Sequence, residues 1–441
     1  EKHKSDSQVS VEQVPLKLLK KWNFEKQTGN LVHESGKFFF IEGLEVETDW
    51  GTKPKWDQPI INQPEVGILG ILTKKINGIL HFLMQAKNEP GNLNKIQISP
   101  TLQATKSNYT RVHKGKKPSF LEYFNGEKKV LILLDQLQSE QGGRFLKKRN
   151  RNIIIEVPEN ESLPETDNFI WLTLGQIKSL LTHDNLVNMD SRSVISGIPF
   201  YLDPNIHDEV LKQTLNEKDS LKLLDSVYRE ENSLNDLQDI ISWITRLKSK
   251  YELNINKKPL RDLKSWTNDG NIIHHNDNKY FSVIGLSVSI KGREVLNWDQ
   301  PIIKPSQEGL LGIITKSING ITHFLIQAKL EVGNVDVIEF APTVQCLTGN
   351  YKEGYEVPFI EHFLNPRPEK IIYASMQSEE GGRFYLESNK NIIIRENENF
   401  NPKLPENYCW MTFEQMMTFL QFNNYFNMAT RSLISAVSIL D

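Results

Sequence analysis

Apolar residues in this chain cluster in several short β-rich runs, with helical spacing in a few stretches. Residues 67–87, GILGILTKKINGILHFLMQAK, form two apolar, β-rich runs around Asn77-Gly78. Asn-Gly at such a point predicts a hairpin, because both residues tolerate positive φ. Asn319-Gly320 repeats the signal in a second apolar stretch. LILLDQLQ from Leu131 and NIIIEV from Asn152 read as further strands. TLGQIKSLL reads as a helix: Thr173 N-caps it, Gln176 closes a capping box, and Leu174, Ile177 and Leu181 share a face. Thr412 and Gln415 reproduce that box. Several strands followed by a helix predict an α+β fold.

The pattern is written twice. Trp56 to Tyr109 and Trp298 to Tyr351 match at more than half their positions without a gap, both opening on WDQPII. The correspondence resumes at LQSEQGGRF and MQSEEGGRF, at NRNIIIE and NKNIIIR, at WLTLGQIKSLL and WMTFEQMMTFL, and at VNMDSRSVIS and FNMATRSLIS. This period is far too long for a solenoid and predicts two tandem domains, residues 1–202 and 261–441. Between them, residues 203–260 have a different composition. Leu234, Leu237, Ile241, Ile244 and Leu247 recur at helical spacing after a Ser233/Asp236 capping pattern. A helical linker docked on one or both domains is expected there, with a docked partner chain as the other reading.

Composition narrows the function. The chain has 441 residues, 38% hydrophobic and 24% charged, enough for a large core without staples. Cys346 and Cys409 are the only cysteines, too few for a disulfide framework or a cysteine zinc site. A net charge of -3 argues against a general nucleic-acid binder. No run approaches the ~20 apolar residues that span a bilayer, and the polar start EKHKSDSQVS has no signal-peptide core. A soluble cytoplasmic protein is expected, its true start absent since residue 1 is Glu.

Three polar clusters recur in both copies. Gln85, Lys87 and Glu89 fall on one face of an extended strand, with Lys329 at the matching second position. A Lys beside a Glu is either a structural ion pair or part of a binding site. The second cluster holds Thr101, Gln103, Asn108 and Tyr109, followed by Arg111 and His113; its twin keeps Asn350 and Tyr351 but has Glu353 and Tyr355 instead of the cation and the imidazole. His113 titrates near neutrality; a surface role competes with a functional one. The third is Gln138, Ser139, Glu140 and Arg144 with Arg149 and Arg151 beyond, matched by Gln377, Glu379 and Arg383. Glycines beside an arginine admit a phosphate closely, so a diphosphate such as that of a nucleotide sugar suits this loop. A solvated basic face or a localisation signal is the alternative. No dinucleotide fingerprint, phosphate loop, HExxH or GxSxG is present, and the histidines lack metal-ligand spacing.

Taken together, WDQPII, GILGIL, HFLMQAKNEPGN, SPTLQATKSNYTRVH, LQSEQGGRFLKKRNRN, WLTLGQI and NLVNMDSRSV resemble the nucleotide-diphosphate-hexose 2,3-dehydratases over essentially the whole chain. One local departure is Arg293-Glu294-Val295 before Trp298, where the first copy has Gly51 to Lys55. The resemblance implies dTDP-4-keto-6-deoxy-D-glucose as substrate and loss of water across C2 and C3. The product would be a 3,4-diketo-2,6-dideoxy sugar nucleotide, passed to a 3-ketoreductase. It further implies two Nudix-like domains from gene duplication, one active and one relic site, and a homodimer. The Nudix carboxylate signature is missing, so metal-dependent diphosphate cleavage is not expected.

That elimination needs a base at C3, a cation or donor at the C4 oxygen and an acid at the departing C2 oxygen, with no redox cofactor and no metal expected. Base candidates are His113, Glu89 and Glu140, in that order. Tyr109 is the candidate acid, Lys87 or Arg111 steadies the enolate, and Arg144, Arg149 and Arg151 hold the diphosphate. Trp56 or Tyr109 stacks on thymine, and Gln85, Thr101, Gln103, Asn108, Gln138 and Ser139 complete the binding set. Trp298, Lys329, Asn350, Tyr351, Gln377, Glu379 and Arg383 would form a second site. Because Arg111 and His113 occur only in the first copy, catalysis is expected there. A nucleotide-sugar epimerase or isomerase, which loses no water mass, and a non-catalytic nucleotide-sugar-binding protein are the competing readings.

Overall fold

The computed structural model describes residues 9–110, 117–164, 166–198, 226–227, 230–290, 295–348 and 356–438. Each half is built on a seven-stranded mixed sheet. In the first, Gly67–Ile76 and Ile79–Asn88 form the expected hairpin, with Asn77 and Gly78 both at positive φ (52° and 79°). Arg149–Val157 runs parallel to Gly67–Ile76 and pairs antiparallel with the edge strand Leu131–Ser139. Phe169–Thr173, Ile96–Ser99 and Leu102–Ala104 complete the sheet. The second half repeats these pairings, from the Gly309–Ile318 and Ile321–Leu330 hairpin outward.

The run ILGIL explains why this strand is central. Alternation sends Ile68 and Leu72 to one apolar cluster with Phe120 and Phe124, and Leu69 and Ile71 to another with Ile177 and Val194. Helices α1 (Leu174–Leu180) and α2 (Met189–Ile195) cover the latter face. The Thr173/Gln176 capping box forms as expected, and Thr412/Gln415 caps Phe413–Leu420 in the same way.

Residues 203–225 of the expected linker lie outside the described residues. Helix α3 (Leu237–Lys250) follows, burying Ile240, Ile244 and Leu247 against the second-half core. Full burial of each stabilises by about 1.5–3 kcal/mol relative to exposure. Asp236 is the N-cap but makes no side-chain capping bond, and Leu234 precedes the helix, 48% exposed.

The end of that segment is strand, not helix. Leu253–Lys258 pairs with Phe40–Thr48 of the first half. Reciprocally, Val9–Val14 pairs with Phe281–Ile290 of the second half. The two small five-stranded sheets therefore exchange their opening strands. The recurring WDQ motif secures the exchange. Asp57 accepts from the backbone N–H of Lys264 (2.6 Å) and its carbonyl from Trp266 Nε1 (3.0 Å). Asp299 does the same for Lys20 (2.8 Å) and Trp22 (2.8 Å). A boundary near 260 thus separates sequence copies but cuts through shared sheets.

At the centre, α2 lies against α4 (Met428–Ala436), and each sends a fully buried arginine into the other half. Arg192 donates to Ser432 Oγ (2.8 Å), Gln377 Oε1 (3.1 Å), the Val187 carbonyl (2.5 Å) and the Ser378 carbonyl (2.6 Å). Arg431 donates to Ser193 Oγ (2.9 Å) and to the Ser139 and Phe426 carbonyls.

Loops also cross. Gly91 N–H donates to the Gly381 carbonyl (2.7 Å), and Gly333 N–H to the Gly142 carbonyl (2.7 Å). A Cβ on Gly91 would stand 1.8 Å from the Phe384 carbonyl oxygen, so the loops meet only because this residue is glycine. Gly91→Ala should accordingly lower the chemical-denaturation midpoint by the equivalent of about 1–3 kcal/mol. Gly143→Ala, with open space around its Cβ position, should leave that midpoint unchanged.

Candidate active site

The crossing loops close two polar clusters, each made from both halves. In the first, Lys87 and Glu89 extend from the Ile79–Asn88 strand and its loop, and their side chains pair at 3.2 Å, both buried. Gln103 donates to Glu89 (3.1 Å), and Asn188, the N-cap of α2, donates to Gln103 (3.3 Å). Glu140 follows the Leu131–Ser139 strand and accepts from Asn150. Lys148 reaches the Glu65 carbonyl, while the Glu65 carboxylate accepts from Ser107 N–H (2.9 Å) and Oγ (2.6 Å). Asp190 enters from the first turn of α2. Two groups arrive from the second half: Glu380, whose charge acts on Glu89, Glu140 and Lys87, and Arg383, which donates to Gln63 (3.3 Å) and lies over the Phe39 ring at 4.1 Å.

Burial sets the proton affinities here. Loss of solvent pushes Glu140 up to about 7, with Lys148 and Arg431 opposing the rise. Glu380 is raised to about 8 by burial and then by Glu89. Asp190 is held well above the usual carboxylate range by burial and by the charges of Glu380, Glu140 and Glu89. Burial also lowers Lys148 to about 8, against the pull of Glu140. Glu89 Oε2, Glu140 Oε2 and Asp190 Oδ1 are buried with no hydrogen-bond partner among the described residues. Carboxyl groups that change charge near neutrality, with uncommitted oxygens and adjacent cations, are equipped to move protons. Among the described residues, no three His, Cys, Asp or Glu side chains form a group that could hold a metal ion.

The second cluster has the same frame and fewer ionisable groups. Lys329 donates to the Gln345 carbonyl (2.9 Å), Gln345 to Glu331 (3.1 Å), Asn427 to Gln345 (2.8 Å) and Asn389 to Glu379 (2.6 Å). Gln141 and Arg144 arrive from the first half, Gln141 donating to Glu379. Position by position, Gln141 replaces Glu380, Ala429 replaces Asp190, Glu387 replaces Lys148 and Gln307 replaces Glu65. Glu387 is pushed up to about 8 by burial and by Glu379 beside it.

The expected residues divide between cluster and scaffold. Lys87, Glu89, Gln103 and Glu140 converge in the first cluster; Lys329 and Glu379 belong to the second. Arg144 and Arg383 sit in the clusters opposite to those expected, because each loop crosses to the other half. Thr101 accepts from Leu72 N–H (2.9 Å) and donates to the Leu83 carbonyl, inside the sheet. Gln138, Ser139 and Gln377 sit at the contact between halves: Ser139 donates to Glu339 (2.7 Å) and Gln138 to the Phe422 carbonyl (3.3 Å). Arg151 forms a two-bond pair with Asp135 (2.7 and 2.6 Å), and Arg149 begins its strand half-buried. Gln85 is half-buried in mid-strand, opposite Ser99 and Phe169. Trp56 and Trp298 each donate to the glutamine two residues on (2.9 and 2.7 Å), and those glutamines, Gln58 and Gln300, hold the Gly143 and Gly382 carbonyls (3.2 and 2.7 Å). Asn108 and Tyr109 occupy a half-buried helical turn, with Tyr109 against the Phe120 cluster. Arg111, His113, Asn350 and Tyr351 lie outside the described residues. Sequence reasoning missed Glu65, Asp190 and Glu380 and took Lys148 only as part of the first copy's Lys147 to Arg151 basic run; their signal was the difference between copies, most plainly NMDSRS against NMATRS.

Comparison with known proteins gives the family. A sequence model described as NDP-hexose 2,3-dehydratase matches residues 1–198 and 237–437. A Saccharopolyspora spinosa protein named dTDP-4-dehydro-6-deoxy-alpha-D-glucopyranose 2,3-dehydratase is 42% identical over 99% of this chain and 89% of its own length. Proteins of the same name from Amycolatopsis orientalis and Streptomyces violaceoruber are 38% and 37% identical, over 97% and 98% of this chain and 86% and 93% of theirs. With both halves matched and three near-full-length relatives, the chain belongs to the NDP-hexose 2,3-dehydratase family.

Proposed function

We propose that this protein is a hydro-lyase that removes water across C2 and C3 of dTDP-4-keto-6-deoxy-D-glucose, and that the first-half cluster performs the chemistry. The observation that carries the site assignment is Glu140 at about 7 and Glu380 at about 8 beside Lys87, Lys148 and Arg383, with Asp190 raised by burial and uncommitted oxygens on Glu89, Glu140 and Asp190. The C4 ketone acidifies the proton on C3, and Glu140, ionised in part at neutral pH, takes it. Lys148 and Lys87 stabilise the charge that develops on the C4 oxygen. Expulsion of the C2 hydroxyl leaves an enol at C3, which tautomerises to the 3-ketone. The step is redox-neutral, so it consumes no nicotinamide.

The second cluster has Ala429 and Gln141 where the first has acids, which supports a binding or relic role for it. The recurring strand pairings are consistent with two Nudix-like domains that arose by duplication. A homodimer, a cytoplasmic location and a 3-ketoreductase that consumes the reactive diketone complete the reading. Among the described residues, no helix is long and apolar enough to cross a membrane.

Purified protein should convert the 4-keto substrate, generated in place by a 4,6-dehydratase, without added nicotinamide or pyridoxal phosphate. The product, trapped in a second step by a 3-ketoreductase with its reduced nicotinamide, should have lost one water mass and gained two hydrogens. Retention of that mass would favour an isomerase, and loss of activity with a chelator would show a metal requirement.

A further inference from the structure

We propose that the first-half site takes its proton donor from the second half: Glu380, carried on the loop that docks against Gly91, protonates the C2 oxygen as it leaves. The inference rests on the dehydratase reading above. The loop is fixed just after Glu380 by two backbone bonds to one first-half residue, Gly91 N–H to the Gly381 carbonyl (2.7 Å) and Leu386 N–H to the Gly91 carbonyl (2.9 Å). Arg383 of the same loop is anchored on Gln63 and Phe39 of the first half. The Glu380 carboxylate accepts from Gly382 N–H (3.1 Å) of this loop, and the charges of Glu89, Arg383, Glu140 and Lys87 act on it there.

Charge counting supports a proton on this group. Among the described residues, the five acids Glu65, Glu89, Glu140, Asp190 and Glu380 share the cluster with Lys87, Lys148 and Arg383, with Arg431 acting on Glu140 besides. Like charges in a poorly solvated space cannot all ionise. Burial and the Glu89 charge raise Glu380 to about 8, so it is mostly protonated at neutral pH. It is half-buried, whereas Glu140 and Asp190 are buried, so it has the best route to solvent for reprotonation.

The protons balance. Glu140 takes H+ from C3, and Glu380 gives H+ to the departing C2 hydroxyl, which leaves as water. The C3 enol then returns its hydroxyl proton to the Glu380 carboxylate, and C2 takes one from Glu140, restoring the acid Glu380 and the base Glu140. In the second cluster the corresponding residue is Gln141, an amide with no acidic proton to give.

Full-length Glu380→Gln carries into the first cluster the amide that the second already has. Its kcat should fall about 100-fold or more, and the basic limb of the pH–rate profile should become shallower, keeping the contribution of Lys148, which burial lowers to about 8, with dTDP affinity by calorimetry unchanged. In Glu380→Ala, added formate should restore part of the rate. Wild-type kcat with an intact basic limb in Glu380→Gln, while Glu140→Gln is inactive, would overturn the proposal and leave the dehydratase reading standing. Wild-type protein that converts no substrate would overturn both.

Discussion

Glu140→Gln should lower kcat by about 100- to 10,000-fold, the range for loss of a positioned base. The amide preserves the shape and the contact with Asn150 but cannot accept the C3 proton. The pH dependence has a defined sign. A base works when ionised, and burial holds Glu140 at about 7, so the wild-type rate should fall as pH drops below about 7. Glu379 is the matching residue of the second cluster, and its charge contributes to raising Glu140. Glu379→Gln should therefore move that acidic limb to lower pH while kcat stays near wild type. Steady-state rates across pH for the two variants decide the matter. Near-normal turnover in Glu140→Gln together with an inactive Glu379→Gln would relocate the chemistry to the second cluster.

The other large effect is on stability. Arg192→Met removes a side chain bonded at once to Ser432 Oγ, Gln377 Oε1 and the Val187 and Ser378 carbonyls. Each acceptor left buried without a donor costs about 1–3 kcal/mol, so a loss of several kcal/mol is expected in urea unfolding. Arg192→Lys should recover little, because one ammonium cannot reproduce the planar fork that spans both halves. Burial pushes the Arg192 guanidinium down to about 10 against the pull of Glu379, Tyr373 and Asp190, so it stays charged throughout the neutral range. A denaturation midpoint equal to wild type in Arg192→Lys would show that charge, and not the fork, holds the halves together.

Local chemistry was legible in the sequence. Asn77-Gly78 and Asn319-Gly320 specify their turns through φ, and Thr173/Gln176 and Thr412/Gln415 specify helix starts through hydrogen bonds within four residues. The relation between halves was not legible, because its determinants are local motifs serving distant partners. VSVEQV reads as a strand, but its alternation does not say that it pairs with Phe281–Ile290. Arg144 and Arg383 belong to their own copies by motif and to the opposite cluster by position. Lys87, Glu89, Gln103 and Glu140 were recoverable because costly polar residues recurred where packing did not need them. Asp190 was not, although its replacement by Ala429 in the twin motif marks the same asymmetry that had drawn attention to His113.

The exchanged strands impose a schedule on synthesis. Val9 finds its partner only at Ile290, so at ~5–20 residues per second the ribosome needs roughly 15–60 s to deliver it. Until then Val9–Val14 is an unpaired strand on a nascent chain, open to pairing with another copy. The first half's small sheet is likewise incomplete until Leu253–Lys258 has emerged. Neither half can finish folding before most of the chain exists. Expression yield should therefore respond to translation speed and chaperone supply more steeply than for two domains that fold one after the other.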